Sequence, residues 1–235
     1  MNLPFFFKEN LETDNSIITL DEESSKHIVQ VLRMEQAQML QLTNGKGNLA
    51  TCEIVKAHKK KCEVQIKEKT FKSSSTKKVS IAISLLKNSS RFEWFLEKAT
   101  ELGISEILPL ICERTEKQNF RFDRMKGICI SALLQSQQVW LPKIHEPKKF
   151  SLLFENVNHQ QKFIAHCFDS QKSLLADLAE KTMERQIIFI GPEGDFTTAE
   201  IEIATKHSCI PVTLGETRLR SETAGVVAAA ILLIG

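Results

Sequence analysis

At 235 residues, 42% hydrophobic and 26% charged, the sequence has the composition of a globular protein, long enough for one large domain or for a medium one beside a small one. A net charge of +2 carries no global signal for nucleic acid, so any such signal must be local. The longest apolar run, the C-terminal AGVVAAAILLIG, is too short to cross a bilayer, and no leader pattern opens the chain, which points to a cytoplasmic protein without a membrane partner. The six cysteines, Cys52, Cys62, Cys112, Cys129, Cys167 and Cys209, show neither C-x-x-C pairs nor matched histidine spacing, so reduced thiols are expected and no metal site.

Up to about Phe71 the pattern is of short strands with one helix: LPFFF, SIITL, a helical EESSKHIVQVLR, then QMLQLT, NLATCEIVKA and CEVQIKEKT. Such a segment predicts a small β-barrel, and NGKG at Asn44 to Gly47 is its clearest hairpin turn, because Asn and Gly tolerate positive φ. Between Lys56 and Lys78 nine lysines stand against Glu63 and Glu68, a concentrated basic patch that is either solvated surface or a docking site. The serine-rich KSSSTKK at Lys72 to Lys78 is the best linker, dividing the chain into residues 1–72 and 73–235.

Beyond it, strands and helices alternate, which implies a parallel α/β sheet. VSIAISLL is the first strand. SRFEWFLEKATELG reads as a helix with a Ser90/Glu93 capping box and Gly103 as its stop, and a longer helix follows near Arg121 to Gln137. After Pro142 and Pro147 come the strand KFIAHC, a helix in SLLADLAEKTM, the strand IIFI, a helix after Thr197, the strand IPVTLG and a last helix from about Glu222. That last helix is apolar nearly all round, as for one buried in a core or a subunit interface.

Two stretches carry the chemistry. IIFIGPEGDFTTAEIEIA runs a strand into Gly-Pro-Glu-Gly at its carboxyl end, where ligands bind in open α/β sheets. The next helix is well started, by a Thr197/Glu200 capping box and a Phe196/Ile201 staple. Glycines at a helix start often cradle phosphate, but Glu193 and Asp195 would repel an anion and no Lys-Ser/Thr follows. A ligand with hydroxyls or a positive centre fits better, and a merely structural turn stays open. The second stretch, LGETRLRSETAGVVAAAILLIG, repeats the strand-end-to-helix arrangement, with Arg218 and Arg220 beside Glu216 and Glu222.

FIGPEGDFTTAEIE followed by LGETRLRSETA resembles the SPOUT class of S-adenosylmethionine-dependent RNA methyltransferases, and more specifically the RsmE family, which methylates N3 of a uridine in small-subunit ribosomal RNA. HIVQVLRM, NGKG, FLEKATELGISEILPLICERTE, and Gln135, Ser136, Leu141 and Pro142 extend the resemblance over nearly the whole chain. It implies a PUA-like β-barrel for RNA, then a SPOUT α/β domain with a C-terminal trefoil knot, working as a homodimer on small-subunit ribosomal RNA or an assembled subunit. By the same match Ile190, Gly191, Pro192, Glu193 and Gly194 form one donor loop, Leu214, Gly215, Leu219, Thr223 and Ala224 a second, and His166 a third. The sequence departs from the family pattern at Leu134, Gln138 and Thr115 and lacks an early arginine.

Methylating uracil N3 requires loss of its proton and stabilisation of the anion that forms. Arg220 is the candidate cation. Glu222 is a candidate base or, alternatively, a helix-start carboxylate or the ion-pair partner of Arg218; His27 and His166 are further candidates. RNA docking is expected at Lys59, Lys60 and Lys61, or failing that around Lys26, Arg33 and Arg114. A SPOUT ribose 2′-O-methyltransferase and an RNA-binding assembly factor without catalysis are the competing readings.

Overall fold

A computed structural model describes residues 3–11, 16–154, 158–168, 172–180 and 182–234. The described residues up to Ser74, together with Leu133–Leu141, form one compact unit; Ser75–Ala132 and the chain from Pro142 onward form another.

The first unit is a five-stranded sheet in the order β1-β3-β4-β5-β2, from β1 (Phe5–Phe7), β2 (Ile17–Thr19), β3 (Met39–Thr43), β4 (Asn48–Lys56) and β5 (Glu63–Phe71). Its pairings are antiparallel except for β1 with β3. The sheet curls until its edge strands approach, Lys8 Nζ reaching Thr19 O at 3.3 Å. Alternation puts Leu40, Leu42, Ala50, Cys52, Ile54, Val64 and Ile66 inside, where Ile28 and Met34 join them. The expected helix is real but shorter than its pattern: α1 (Glu22–Lys26), capped by the Asp21 side chain on Ser24 N, runs into a π-helical turn over His27–Val31. The β3–β4 turn is held by Asn44 Oδ1, which accepts from Lys46 N at 2.9 Å and Asn48 N at 3.3 Å. Gly45 and Gly47 take φ of 67° and 89° there, and a Cβ on Gly47 would stand 2.6 Å from Trp140. Leu133–Leu141 belongs with this unit through real bonds: Gly47 N donates to Val139 O, Leu141 N to Gly45 O, and Trp140 Nε1 to Lys72 O.

The second unit is an all-parallel sheet with strand order β11-β13-β10-β12-β6-β7-β8, β9 pairing β7. Its strands are β6 (Lys78–Ser84), β7 (Glu106–Ile111), β8 (Lys143–Ile144), β9 (Lys148–Lys149), β10 (Gln161–Ala165), β11 (Ser173–Leu174), β12 (Arg185–Ile190) and β13 (Ile210–Thr213). β6 is buried on both faces, as expected of a strand between two layers. On one face α2 (Ser89–Leu102) packs against α7 (Ser221–Ile234); a Cβ on Gly225 of α7 would lie 2.6 Å from the Phe95 ring of α2, so this position brings the two helices close. The other face carries α4 (Phe150–Leu153) and α6 (Thr198–Lys206), with Phe150, Phe154, Phe189 and Phe196 packed ring to ring. α3 (Phe122–Gln135) and α5 (Leu175–Leu178) complete the set.

Two local expectations are corrected. α2 is capped by Asn88, whose side chain accepts from Ser90 N, not by a Ser90/Glu93 box; Glu93 instead holds Arg124 through two bonds of 2.6 and 2.7 Å. The Asn outcompetes the serine because it stands one residue before the first helical turn. Among the described residues of SLLADLAEKTM, which leave out Lys181, only Leu175–Leu178 is helical; the segment is committed to β11 before it, and the Gln161 and Gln186 side chains bond Leu178 O, Glu180 N and Glu180 O after it. The Thr197/Glu200 capping box and the left-handed Gly103 stop are present as read.

Candidate donor cleft and candidate RNA surface

The carboxyl ends of three neighbouring strands, β13, β10 and β12, open onto one cleft of about 400 Å3. Its wall takes His166 and Cys167 from the end of β10 and Ile190, Gly191, Pro192, Glu193 and Asp195 from the turn after β12. Leu214 and the residues from Thr217 to Ser221, with Ala224, come from the stretch between β13 and the first turn of α7. Parallel strands end in loops on the same side, which is why residues far apart in sequence converge here.

The β12 turn is built by its own carboxylates. Asp195, at φ 64°, accepts from Phe196 N at 2.8 Å through one oxygen and from Cys167 N at 2.7 Å through the other, tying the β12 turn to the end of β10. Glu193 accepts from Lys87 N at 3.1 Å, tying the same turn to the loop after β6. Arg114 donates to Gly194 O at 2.7 Å, so its guanidinium is engaged with the turn. Thr115, which stands where the family usually has Ser, bonds Ser84 Oγ and Cys112 N as a serine hydroxyl could. Gly191 is the tight glycine: a Cβ there would sit 3.1 Å from both the ring and the amide of Phe196, whereas at Gly194 it would meet only the Arg114 side chain at 3.4 Å.

His166 is buried and neither ring nitrogen has a partner among the described residues. Burial, reinforced by Lys172, holds its pKa below the usual imidazole value against the opposing pull of Asp195, so the ring is neutral near pH 7. A neutral imidazole with two unused nitrogens in a cleft wall is built to bond something the chain does not supply. Arg218 and Arg220 line the same cleft, exposed, and neither guanidinium is paired to a carboxylate among the described residues. Arg220 O accepts from Ala224 N at 2.7 Å, which puts the residue at the very start of α7.

Gly194, Gly215, Glu222 and Thr223 do not wall the cleft. Gly215, at φ 146°, shapes the loop after β13. Glu222 is buried against α2, 3.6 Å from Arg91 Nε, with its second oxygen unpartnered; its partner is thus Arg91, not Arg218. Asp195 and Cys167 were not read as site residues, because their part depends on which strand ends adjoin. His27 packs edge-on against Phe6, in the first unit.

The basic residues of the first unit gather at one end. Cys62 N bonds Ser25 Oγ at 2.9 Å and Leu20 N bonds Cys62 O, so the β4–β5 tip carrying Lys59, Lys60 and Lys61 lies against the start of α1. Ala37 N bonds Ile54 O and Ile54 N bonds Gln38 O, bringing the loop after Arg33 to the same end of β4. Lys26 is paired to Glu22 at 2.8 Å, Lys56 to Glu63 and Lys67 to Glu53, which neutralises part of the patch. Arg114 lies in the other unit, its guanidinium on the turn after β12.

Residues 72–233 match the family model described as RNA methyltransferase domain, and residues 20–67 match the RNA methyltransferase PUA domain. The ribosomal RNA small subunit methyltransferase E of Bacillus subtilis is 29% identical over 220 residues, 88% of this chain and 85% of its own. That of Buchnera aphidicola from Acyrthosiphon pisum is 28% identical over 222 residues, 91% and 86% of the two chains. The solved ribosomal RNA small subunit methyltransferase E of Neisseria gonorrhoeae, bound to S-adenosyl methionine, superposes with a TM-score of 0.86 at 26% identity, covering 97% of this chain and 96% of its own. The PUA-like unit followed by a SPOUT α/β unit is therefore the fold. With its two matched models in this order, the chain belongs to the RNA methyltransferase family, among the ribosomal RNA small subunit methyltransferases E.

Proposed function

We propose that the protein methylates N3 of a uridine in small-subunit ribosomal RNA, using S-adenosylmethionine bound in the cleft at the ends of β10, β12 and β13. The observation that carries this reading is the buried, neutral His166 in the wall of that cleft, without a ring partner among the described residues. The residues present fit the donor: the volume suits a small-molecule site, Glu193 and Asp195 disfavour an anion, and Gly191 lets the backbone come close. The bound donor supplies an electrophilic methyl group on a sulfonium. Everything else falls to the chain.

His166 and the backbone around Ile190 to Glu193 would hold the donor, with Leu214, Leu219 and Ala224 closing its apolar side. Arg220, exposed and unpaired at the mouth, would bind the uracil carbonyl oxygens and stabilise the charge that grows there as N3 loses its proton, a pre-set cation that need not reorganise. Glu222 is better suited to positioning than to proton transfer, since it is buried outside the cleft wall and engaged with Arg91. Gly194 and Gly215 would shape the loops, and Thr223 the first turn of α7, rather than touch the donor. The first unit would dock RNA by the end that carries Lys26, Arg33 and Lys59 to Lys61.

We also propose a homodimer and a knotted C-terminal segment, supported by the long apolar α7 returning from β13 at one side of the sheet to pack on α2 and β6. Calorimetry with S-adenosylmethionine and mapping of methylated uridines in ribosomal RNA with and without the gene test the reading together. Saturable donor binding and loss of one N3-methyluridine are expected; loss of a ribose methylation instead would move the activity to the 2′-oxygen, and no donor binding would leave an RNA-binding factor.

A further inference from the structure

The π-helical turn after α1 spends apolar surface in an unusual way. Ile28 and Met34 anchor the segment in the core of the first unit, but between them Val31 is 67% and Leu32 42% exposed. The turn is closed by Leu32 N on His27 O and Met34 N on Ile28 O, both at 2.9 Å. The chain then passes through Arg33 at φ 53° and Ala37 at φ 70°, conformations that glycine adopts freely and these residues do not. A π-turn that ends a helix and a side chain held in the left-handed region are costly features that persist only where their surroundings over-determine them, and they cluster at functional sites. What they achieve here is a projecting tip, Val31-Leu32-Arg33, with two aliphatic side chains and a guanidinium in solvent.

The surroundings say what such a tip meets. Lys26 precedes it on the same helix, and the hydrogen bonds of Cys62 to Ser25 and Leu20 seat the Lys59-Lys60-Lys61 tip against the start of that helix. Cations alone would fit a phosphate backbone of any sequence, and an aliphatic pair alone would fit a protein. Together they fit an RNA segment whose backbone lies on the lysines while an unpaired base rests on the aliphatic pair. We propose that Val31 and Leu32, with Arg33 beside them, bind an unpaired nucleotide of the RNA substrate and so confer preference for single-stranded structure, while the lysines only position the backbone. The proposal rests on the RNA-methylating reading above.

The test uses the full-length V31S/L32S variant, whose changes lie on the surface, against two probes: transcribed small-subunit ribosomal RNA and a fully paired RNA duplex. The parent should favour the first. In the variant, affinity for ribosomal RNA should fall about tenfold, approaching that for the duplex, with an unchanged salt slope because no phosphate contact is lost. Donor affinity, melting temperature and oligomeric state should stay as in the parent. An unchanged preference in a folded variant overturns the proposal, and so does a change of oligomeric state with RNA affinity intact, which would make the tip a contact between copies. If the parent itself binds donor but neither RNA nor an assembled small subunit, the RNA-methylating reading fails with it, whereas a parent that prefers ribosomal RNA and a variant that shares the preference sink only the role of the tip.

Discussion

The carboxylate of Asp195 bonds the amide of Cys167 at 2.7 Å, locking the turn after β12 to the end of β10 across 28 residues of sequence. The same side chain holds Phe196 N. Asp195→Ala frees two amides and leaves a non-glycine residue at positive φ, so S-adenosylmethionine affinity should fall by about tenfold or more, with a lowered melting temperature. Asp195→Asn should be intermediate, since its NH2 cannot accept from an amide. Calorimetry beside thermal melts checks both; parental donor affinity in Asp195→Ala would dissociate the turn from the donor.

The two glycines of the β12 turn should behave differently. Gly191→Val places carbon against the Phe196 ring and amide and should abolish donor binding, whereas Gly194→Ala meets only the Arg114 side chain at 3.4 Å and should be nearly silent. Equal effects at both positions in folded protein would count against this assignment.

Arg220→Ala should keep donor affinity within a few fold and lose about a hundredfold or more in turnover, because the charge matters chiefly as uracil becomes anionic. Single-turnover kinetics with saturating donor separates the two effects. Loss of donor binding with an unchanged rate would reassign the residue to the donor.

Replacing Lys59, Lys60 and Lys61 together by Ala should weaken binding to every RNA alike and lower the salt slope by about 2 to 3, leaving the methylated position and donor affinity unchanged. A triple variant with the parental slope would make the tip solvated surface.

At the amino edge of the parallel sheet, opposite the cleft, Glu106 bonds His145 at 2.6 Å and Ser80 at 3.0 Å, and Ser80 Oγ lies 2.9 Å from His159 Nε2. Burial lowers the His159 pKa to about 4 despite the nearby Glu106 carboxylate, with Arg185 and Lys162 adding to the fall. The unfolded chain therefore takes up a proton at about pH 6.5 that the folded chain resists, and stability should drop as pH falls from about 6.5 toward about 4. Burial pushes Glu106 up, but its bonds to His145 and Ser80 and the charge of the histidines outweigh this and hold it below the usual glutamate range, extending the loss below about pH 4.5. Melts from neutral to mildly acid pH should show this slope, and His159→Gln should flatten its upper part.

Much of this was legible because it is local. The Thr197/Glu200 box, the Gly103 stop, the positive-φ glycines of Asn44 to Gly47 and the strand-to-GPEG step each depend on residues within one or two turns of one another. Where two local signals competed, the reading slipped: Asn88 stood ahead of Ser90 as a cap, and Ser173–Leu174 joined a strand. The parts of the site that were missed depend on topology. Nothing near Asp195 in sequence says that β10 lies beside β12, so its bond to Cys167 was not to be read, nor was the pairing of Glu222 with Arg91 rather than with the nearer Arg218. The exposure of Val31 and Leu32 was hidden for the opposite reason, since their spacing is that of an ordinary buried helix stripe.

The return of Leu133–Leu141 to the first unit makes the chain's two bodies inseparable as cassettes. A protein cut or recombined at the serine-rich linker yields an N-terminal piece stripped of the strand-like stretch whose Val139, Trp140 and Leu141 bond Gly47, Lys72 and Gly45. The C-terminal piece keeps that stretch with nothing to receive it. Protease nicking between Lys72 and Lys78 should therefore leave a complex that runs as one species until denatured, and a graft of the first unit onto another enzyme succeeds only if the nine-residue detour is carried over as well.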